Sequence, residues 1–236
     1  MDSLIKLSHI VSEEQIQRLA DTMFDLLSIG RISREEYKIV FNLVESRHQT
    51  YVNRHMRGRV DYQNTRSLGE YALQIYNSTL SQQKEMEDWV QTYASKHFVG
   101  SPFCLFNNGI DNSGKLIIDL SGYSYQEFKR PDYKLMGQES EYLIEYKDCP
   151  TDKKATYKVD DLTAYIAQNA WVLTVHKFCR ETRFYTLLSP AQQQNMLDKL
   201  SHGNYKEVGY KPGVQMYLEG FVGKRIKDFT ELHLVV

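Results

Sequence analysis

Between Arg130 and Lys147 the chain reads RPDYKLMGQESEYLIEYK, with apolar residues at alternate positions on both sides of a Gly137-Gln138-Glu139-Ser140 turn. Side chains along a strand point alternately to opposite faces, so this period, enriched in Tyr, Leu and Ile, predicts a β-hairpin. Asp132 to Met136 forms its first strand and Glu141 to Lys147 its second. A turn centred between Gln138 and Glu139 sets Asp132 directly across from Glu145. Tyr133, Leu135, Tyr142, Ile144 and Tyr146 then share an apolar face, while Asp132, Glu145 and Lys147 share the other.

Two like charges on directly opposed residues, with Cβ atoms roughly 5 Å apart, repel each other unless something positive lies between them. A divalent cation is such a group. Mg²⁺ takes one or two carboxylates together with waters and substrate phosphate oxygens, and it can polarise a phosphoryl group and acidify a bound water. Lys147, two positions beyond Glu145, is placed to orient that water or to stabilise developing negative charge. Pro131-Asp132, twelve intervening residues and Glu145-Tyr146-Lys147 resemble the signature of the PD-(D/E)xK nuclease superfamily. The resemblance implies a restriction-endonuclease-like αβββαβ core with a central mixed sheet. It also implies a Mg²⁺ or Mn²⁺ site made by Asp132, Glu145 and the main-chain carbonyl of Tyr146, with Lys147 serving the attacking water. The competing reading is a surface hairpin whose Asp132, Glu145 and Lys147 pair with Arg130, Lys129 and one another.

The helical segment that opens at Ser67-Leu68-Gly69-Glu70 and reaches about His97 supplies the first α of that order. Glu70 has two readings: an additional acid of the metal site, which many PD-(D/E)xK enzymes carry on a helix before the sheet, or the N3 member of a capping box with Ser67. Gly100-Ser101-Pro102 ends the helix, Phe103 to Phe106 reads as a short strand, and Lys115 to Leu120, KLIIDL, as a fuller one. Asp148 to Lys154 is expected to be a polar loop. A helix over 159–170 and strands at Trp171 to His176 and Arg183 to Leu188 complete the order. RecB-like branches of the superfamily carry Gln-x-x-x-Tyr on the helix after the lysine; here Asp161 occupies the Gln place ahead of Tyr165. His176, at a strand end, reads as a structural histidine.

The first 60 residues form a separate N-terminal helical region, for packing, dimerisation or DNA contact; the nuclease-like domain is expected over 61–236. Ser12 with Gln15, and Ser33 with Glu36, are spaced as capping boxes, each followed by an apolar stripe at helical period, so a helical hairpin is expected. Between them and Ser67 lies the most basic stretch of the chain, in which Arg54, Arg57, Arg59 and Arg66 are candidate phosphate contacts.

Composition narrows the class without choosing the substrate. A net charge of −1 argues against a charge-driven nucleic-acid coat, whereas a nuclease needs only a local basic surface. No apolar run is long enough to cross a membrane and the N-terminus lacks a signal-peptide layout. The odd number of cysteines, Cys104, Cys149 and Cys179, has no metal-ligand spacing, which suits free thiols in the cytoplasm. The expected activity is therefore a metal-dependent endonuclease acting on DNA. Two alternatives stand beside it: an RNA endonuclease of the viral cap-snatching kind, since the motif does not read the 2′-OH, and a catalytically inert nuclease-fold subunit of a recombination or transposition complex. A homodimer fits the resemblance as well, although nothing in the sequence marks a two-fold surface.

Overall fold

The computed structural model describes residues 12–47, 67–110, 113–117, 122–150, 156–177, 183–201, 207–209 and 214–217. The chain divides into two compact units, one of Met1–Met86 with Asp111–Ser124 and the other of Glu87–Ile110 with Tyr125–Val236.

In the first unit α1 (Glu13–Ser28) begins at Ser12, whose hydroxyl accepts the Gln15 N–H while the Gln15 side chain accepts the Ser12 N–H. Ser33 and Glu36 exchange the same two bonds at the start of α2 (Arg34–Arg47). The third helix, α3 (Leu68–Trp89), closes on α2 through Gly69, whose N–H donates to Asn42 Oδ1 at 3.1 Å. A Cβ on Gly69 would run into the Lys38 carbonyl, so the approach of the two helices depends on the missing side chain. Ile16, Ala20, Met23 and Leu27 of α1, Tyr37 and Phe41 of α2, and Leu68, Tyr71 and Ala72 of α3 make one buried cluster.

Leu116 belongs to that cluster too, and its carbonyl accepts from Gln17 Nε2 at 3.1 Å. The expected strand at KLIIDL is thus not formed over 115–117, and 118–120 lie outside the described residues. Leu116 plugs a helical core instead of joining a sheet.

In the second unit α3 ends in a π-helical turn, Val90–Ala94, before the short α4 (Ser95–His97), so the helix expected to reach about His97 is interrupted. The short strand expected at Phe103 to Phe106 is formed, one residue later, as β1 (Cys104–Asn107). After the single-turn α5 (Tyr125–Phe128) come β2 (Tyr133–Met136) and β3 (Glu141–Pro150), so β3 continues into the segment expected to be loop. Next are β4 (Thr156–Lys158), α6 (Val159–Ala167), β5 (Trp171–Lys177), β6 (Arg183–Leu188) and α7 (Pro190–Ser201). The main sheet has the order β1-β2-β3-β5-β6, antiparallel except where β3 runs parallel to β5. A second sheet, not anticipated from the sequence, joins β4 to β7 (Glu207–Gly209) and β8 (Val214–Tyr217).

The protein is of mixed α/β class with N-terminal helices and a five-stranded mixed sheet, and its element order agrees in part with an αβββαβ-like core, to which α5, β4 and β6 are additions. β3 is the central strand of that sheet. Its apolar face, with Tyr142, Ile144 and Tyr146, lies on the side where Phe98 stacks on Tyr142 and meets Trp171 edge-on, and where Tyr93 meets Tyr185. The opposite face carries Glu145, Lys147 and Cys149. There Leu162 and Tyr165 of α6 and Met196 of α7 pack with Cys149, Val172 and Leu188 of the sheet. Asn169, at a φ of 55°, takes the left-handed position that ends α6, and the Ala170 N–H returns to the Tyr165 carbonyl. The charged face of the hairpin is therefore partly roofed by a helix, which fixes what its acids can touch.

Candidate functional site

The hairpin has the register its sequence demands. Gly137 N–H closes the turn on the Ser140 carbonyl, and Tyr133 lies opposite Ile144. One step further along the same register, Asp132 faces Glu145. Asp132 is held from three sides. Its Oδ2 accepts the Tyr146 N–H at 3.0 Å, and its own carbonyl accepts the N–H groups of Asn108 at 2.8 Å and Gly109 at 3.0 Å. Asn108 Nδ2 also donates to the Pro131 carbonyl at 2.8 Å. The turn after β1 thus clamps the Pro131-Asp132 peptide. A Cβ on Gly109 would stand 3.0 Å from Asp132 Cα and 3.2 Å from its Oδ1, so the clamp is close enough to exclude a side chain without displacement.

Glu145 is 5% exposed, and burial of a carboxylate at that depth requires partners. It has two, both on Oε1: the Lys147 ammonium at 2.6 Å and the Tyr165 hydroxyl at 2.6 Å. The same ammonium lies 5.6 Å from the centre of the Tyr165 ring. One helical turn before Tyr165, Asp161 is buried on the same face of α6 and pairs with Lys129. Three carboxylates and two ammonium groups therefore converge where α6 covers the hairpin.

Their electrostatics decide the protonation states. Burial works against a charged Lys147, but the Glu145 carboxylate that it bonds, reinforced by Asp132 and Asp161, outweighs that cost and holds its pKa above the ordinary lysine range. Burial, with Glu145 and Asp161 nearby, likewise pushes the Tyr165 hydroxyl upward. Both groups remain donors at neutral pH. Lys147 in this state cannot accept a proton from water; it can hold one in place or meet negative charge.

The residues present suit a hard divalent cation. Asp132 and Glu145 are oxygen donors on opposed positions, both hydrogen bonds to Glu145 fall on Oε1, and Oε2 is left for a cation. Among the described residues no group of three or more His, Cys, Asp or Glu is arranged to hold a metal, so a cation here would have two carboxylates and would need carbonyl or water oxygens besides. That is a sufficient protein contribution for Mg²⁺.

The other residues singled out in the sequence fall as follows. Tyr146 lies between the acid and the lysine on β3, its N–H committed to Asp132. Glu70 is in the first turn of α3 in the N-terminal unit, where its N–H donates to Ser67 Oγ and its side chain lines a surface depression with Lys38, Gln74 and Asn77. The Ser67 half of its capping box is formed. Arg54, Arg57, Arg59 and Arg66 lie outside the described residues. Lys129 and Arg130 are engaged with Asp161 and Glu127. His176 is buried and shares a 2.8 Å hydrogen bond with Thr186, a structural setting that lowers its pKa by desolvation.

Sequence reasoning named Lys129, Asp161 and Tyr165 but not their partners: Lys129 pairs with Asp161 rather than with the hairpin acids, and Tyr165 bonds Glu145. The legible signal was the four-residue spacing of Asp161 and Tyr165 on one helix face; nothing local marked Lys129 as their partner. No protein-family model matches the chain, and neither does any curated protein or solved structure. Among the described residues no helix is long and apolar enough to cross a membrane.

Proposed function

We propose that this protein is a metal-dependent nuclease of the PD-(D/E)xK type that hydrolyses phosphodiester bonds, with DNA as the first substrate to try. The observation that carries the reading is the buried Glu145, bonded by Lys147 and Tyr165 and standing opposite Asp132. Confining acids and a lysine in this way is costly for folding alone, because apolar residues would fill the same space at lower desolvation cost.

In this reading Asp132 and Glu145 hold Mg²⁺ or Mn²⁺, with the Tyr146 carbonyl as a further ligand. The bound ion supplies Lewis acidity toward the phosphoryl oxygen and lowers the pKa of a water. Lys147, kept protonated by its carboxylate neighbours, donates to the water or to the phosphoryl oxygen as negative charge grows there. Tyr165 fixes the rotamer of Glu145, and Asn108 and Gly109 fix the backbone of Asp132.

The test is cleavage of matched DNA and RNA strands, single and duplex, in Mg²⁺ or Mn²⁺. Asp132→Asn and Lys147→Met are each expected to lower the rate by at least about 100-fold, the scale of a lost electrostatic or acid-base contribution. Parent-like cleavage by either variant would refute the assignment.

A further inference from the structure

Resting on that reading, we infer that the substrate strand is unpaired at the cut, with a nucleobase beside the scissile phosphate stacked on Phe106. β1 is an edge strand of the main sheet, and Phe106 on it pairs directly with Lys134 of β2. Paired residues share a face, and Lys134 is two positions on from Asp132, so Phe106, Lys134 and Asp132 look out from the same side of the sheet. Sheet spacings set the Phe106 and Asp132 Cα atoms roughly 8 Å apart. This is the span of a neighbouring nucleotide.

Phe106 is 52% exposed, whereas Leu135, on the other face of the adjacent strand, is fully buried. α6 and α7 pack against β3, β5 and β6 on the site side, and Phe106 is not part of the cluster they make there. A large apolar ring left open beside two facing acids is costly in water and useful to a ligand with a flat apolar face. A nucleobase has such a face, but in a duplex both of its sides are already stacked. Only an unpaired base can use the platform.

The surrounding charges fit the same ligand. Lys134 Nζ lies 2.9 Å from Glu141, and Arg130 lies 3.6 Å from Glu127, with the arginine side chain 51% exposed. Surface pairs of this kind contribute little, so either cation can turn to a phosphate at small cost. The platform is also rigid with respect to the acid, because Asn108 and Gly109, directly after β1, donate to the Asp132 carbonyl.

The experiment uses the full chain and a fluorescein-labelled oligo-dT, with binding measured in EDTA so that nothing is cut, followed by cleavage in Mn²⁺. Phe106→Ala is expected to weaken single-strand binding by about 10-fold and to raise KM correspondingly, the effect of one lost base–aromatic stack. Phe106→Trp should keep binding, and its added indole emission should be quenched when the oligonucleotide saturates it. Single-strand affinity unchanged in Phe106→Ala, or indole emission of the Phe106→Trp variant no different from the parent's response to bound strand, overturns the inference while leaving the nuclease reading intact. Cleavage of duplex alone does the same. A parent protein that neither binds nor cuts any strand removes both. Melting curves for the two variants, expected to overlay the parent because the site is exposed, separate loss of the platform from loss of the fold.

Discussion

Each unit of this protein presses another part of the chain against a glycine, and the two glycines serve different ends. Gly69 lets α3 close on the backbone of α2, beside a cluster made almost wholly of apolar side chains. Gly109 lets the turn after β1 close on Asp132. The first contact builds a core; the second positions an acid. The buried polar groups follow the same division. Among the described residues Thr79 represents them in the helical unit, whereas the sheet unit buries Glu145, Asp161, Thr174, His176, Thr186 and Gln193. The sheet unit thus buries its charged groups beside an apolar cluster of its own, under the helix that roofs the sheet, while the helical unit's core is nearly all apolar.

The largest expected effect tests the core side of this contrast. Gly69→Ala adds a methyl group that meets the Lys38 carbonyl, a backbone atom that cannot swing away. Alanine would favour the helix by about 0.5–1 kcal/mol if there were room, so the net loss is steric, about 2–3 kcal/mol. Chemical denaturation reads it directly, and a variant as stable as the parent would show that the helix contact is not tight.

Next comes the charged pair on the sheet side. Lys147→Met keeps the length of the side chain but leaves the Glu145 carboxylate buried without its ammonium. Because the lysine side chain is itself 30% exposed, the cost is placed below that of a wholly buried pair, at about 2 kcal/mol. Adding Glu145→Gln to Lys147→Met should recover most of that loss in stability without restoring the cleavage rate expected of the parent. Were the double variant no more stable than Lys147→Met alone, the pair would not be what Glu145 needs.

Gly109→Ala is expected to reverse the signature of Gly69→Ala. Its Cβ contacts are tight but not prohibitive, so a few tenths of an ångström of movement accommodates the methyl group, and stability should change by less than about 1 kcal/mol. The group that moves is Asp132. A small misplacement of a catalytic carboxylate lowers the rate by about 10-fold or more. Nuclease assays on the folded variant check this; parent-like cleavage would mean that the Asn108-Gly109 clamp does not control the acid.

How much of this was legible in the sequence depended on the range of the forces involved. The hairpin register followed from alternation alone, since Gly137 to Ser140 leave one way to pair Tyr133 with Ile144 that keeps the apolar face together. Helix starts at Ser12, Ser33 and Ser67 were equally local, each a hydroxyl accepting an N–H three residues on. KLIIDL failed because an apolar run says that residues are buried but not against what; Leu116 meets helices rather than strands. The Lys129–Asp161 pair joins residues 32 apart and leaves no mark in either neighbourhood. Asp132 and Glu145 could be placed opposite each other from the sequence. That Tyr165 would reach Glu145 depended on α6 lying over β3.

The smallest expected effect is a slope rather than a step, and it concerns the sheet unit. His176 is 3% exposed, with a pKa lowered from 6.5 by burial. In the unfolded chain the imidazole takes up a proton as pH falls through 6.5, while the buried ring resists until the lower native value is reached. Over that interval the unfolded state binds more protons, so stability declines as pH falls and is restored once pH rises above 6.5. His176→Gln, which retains a polar partner for Thr186, should flatten the slope in denaturation midpoints measured between about pH 7 and the carboxylate range. A slope that survives the substitution would assign the proton to another group and would leave His176 a hydrogen-bonding residue indifferent to pH.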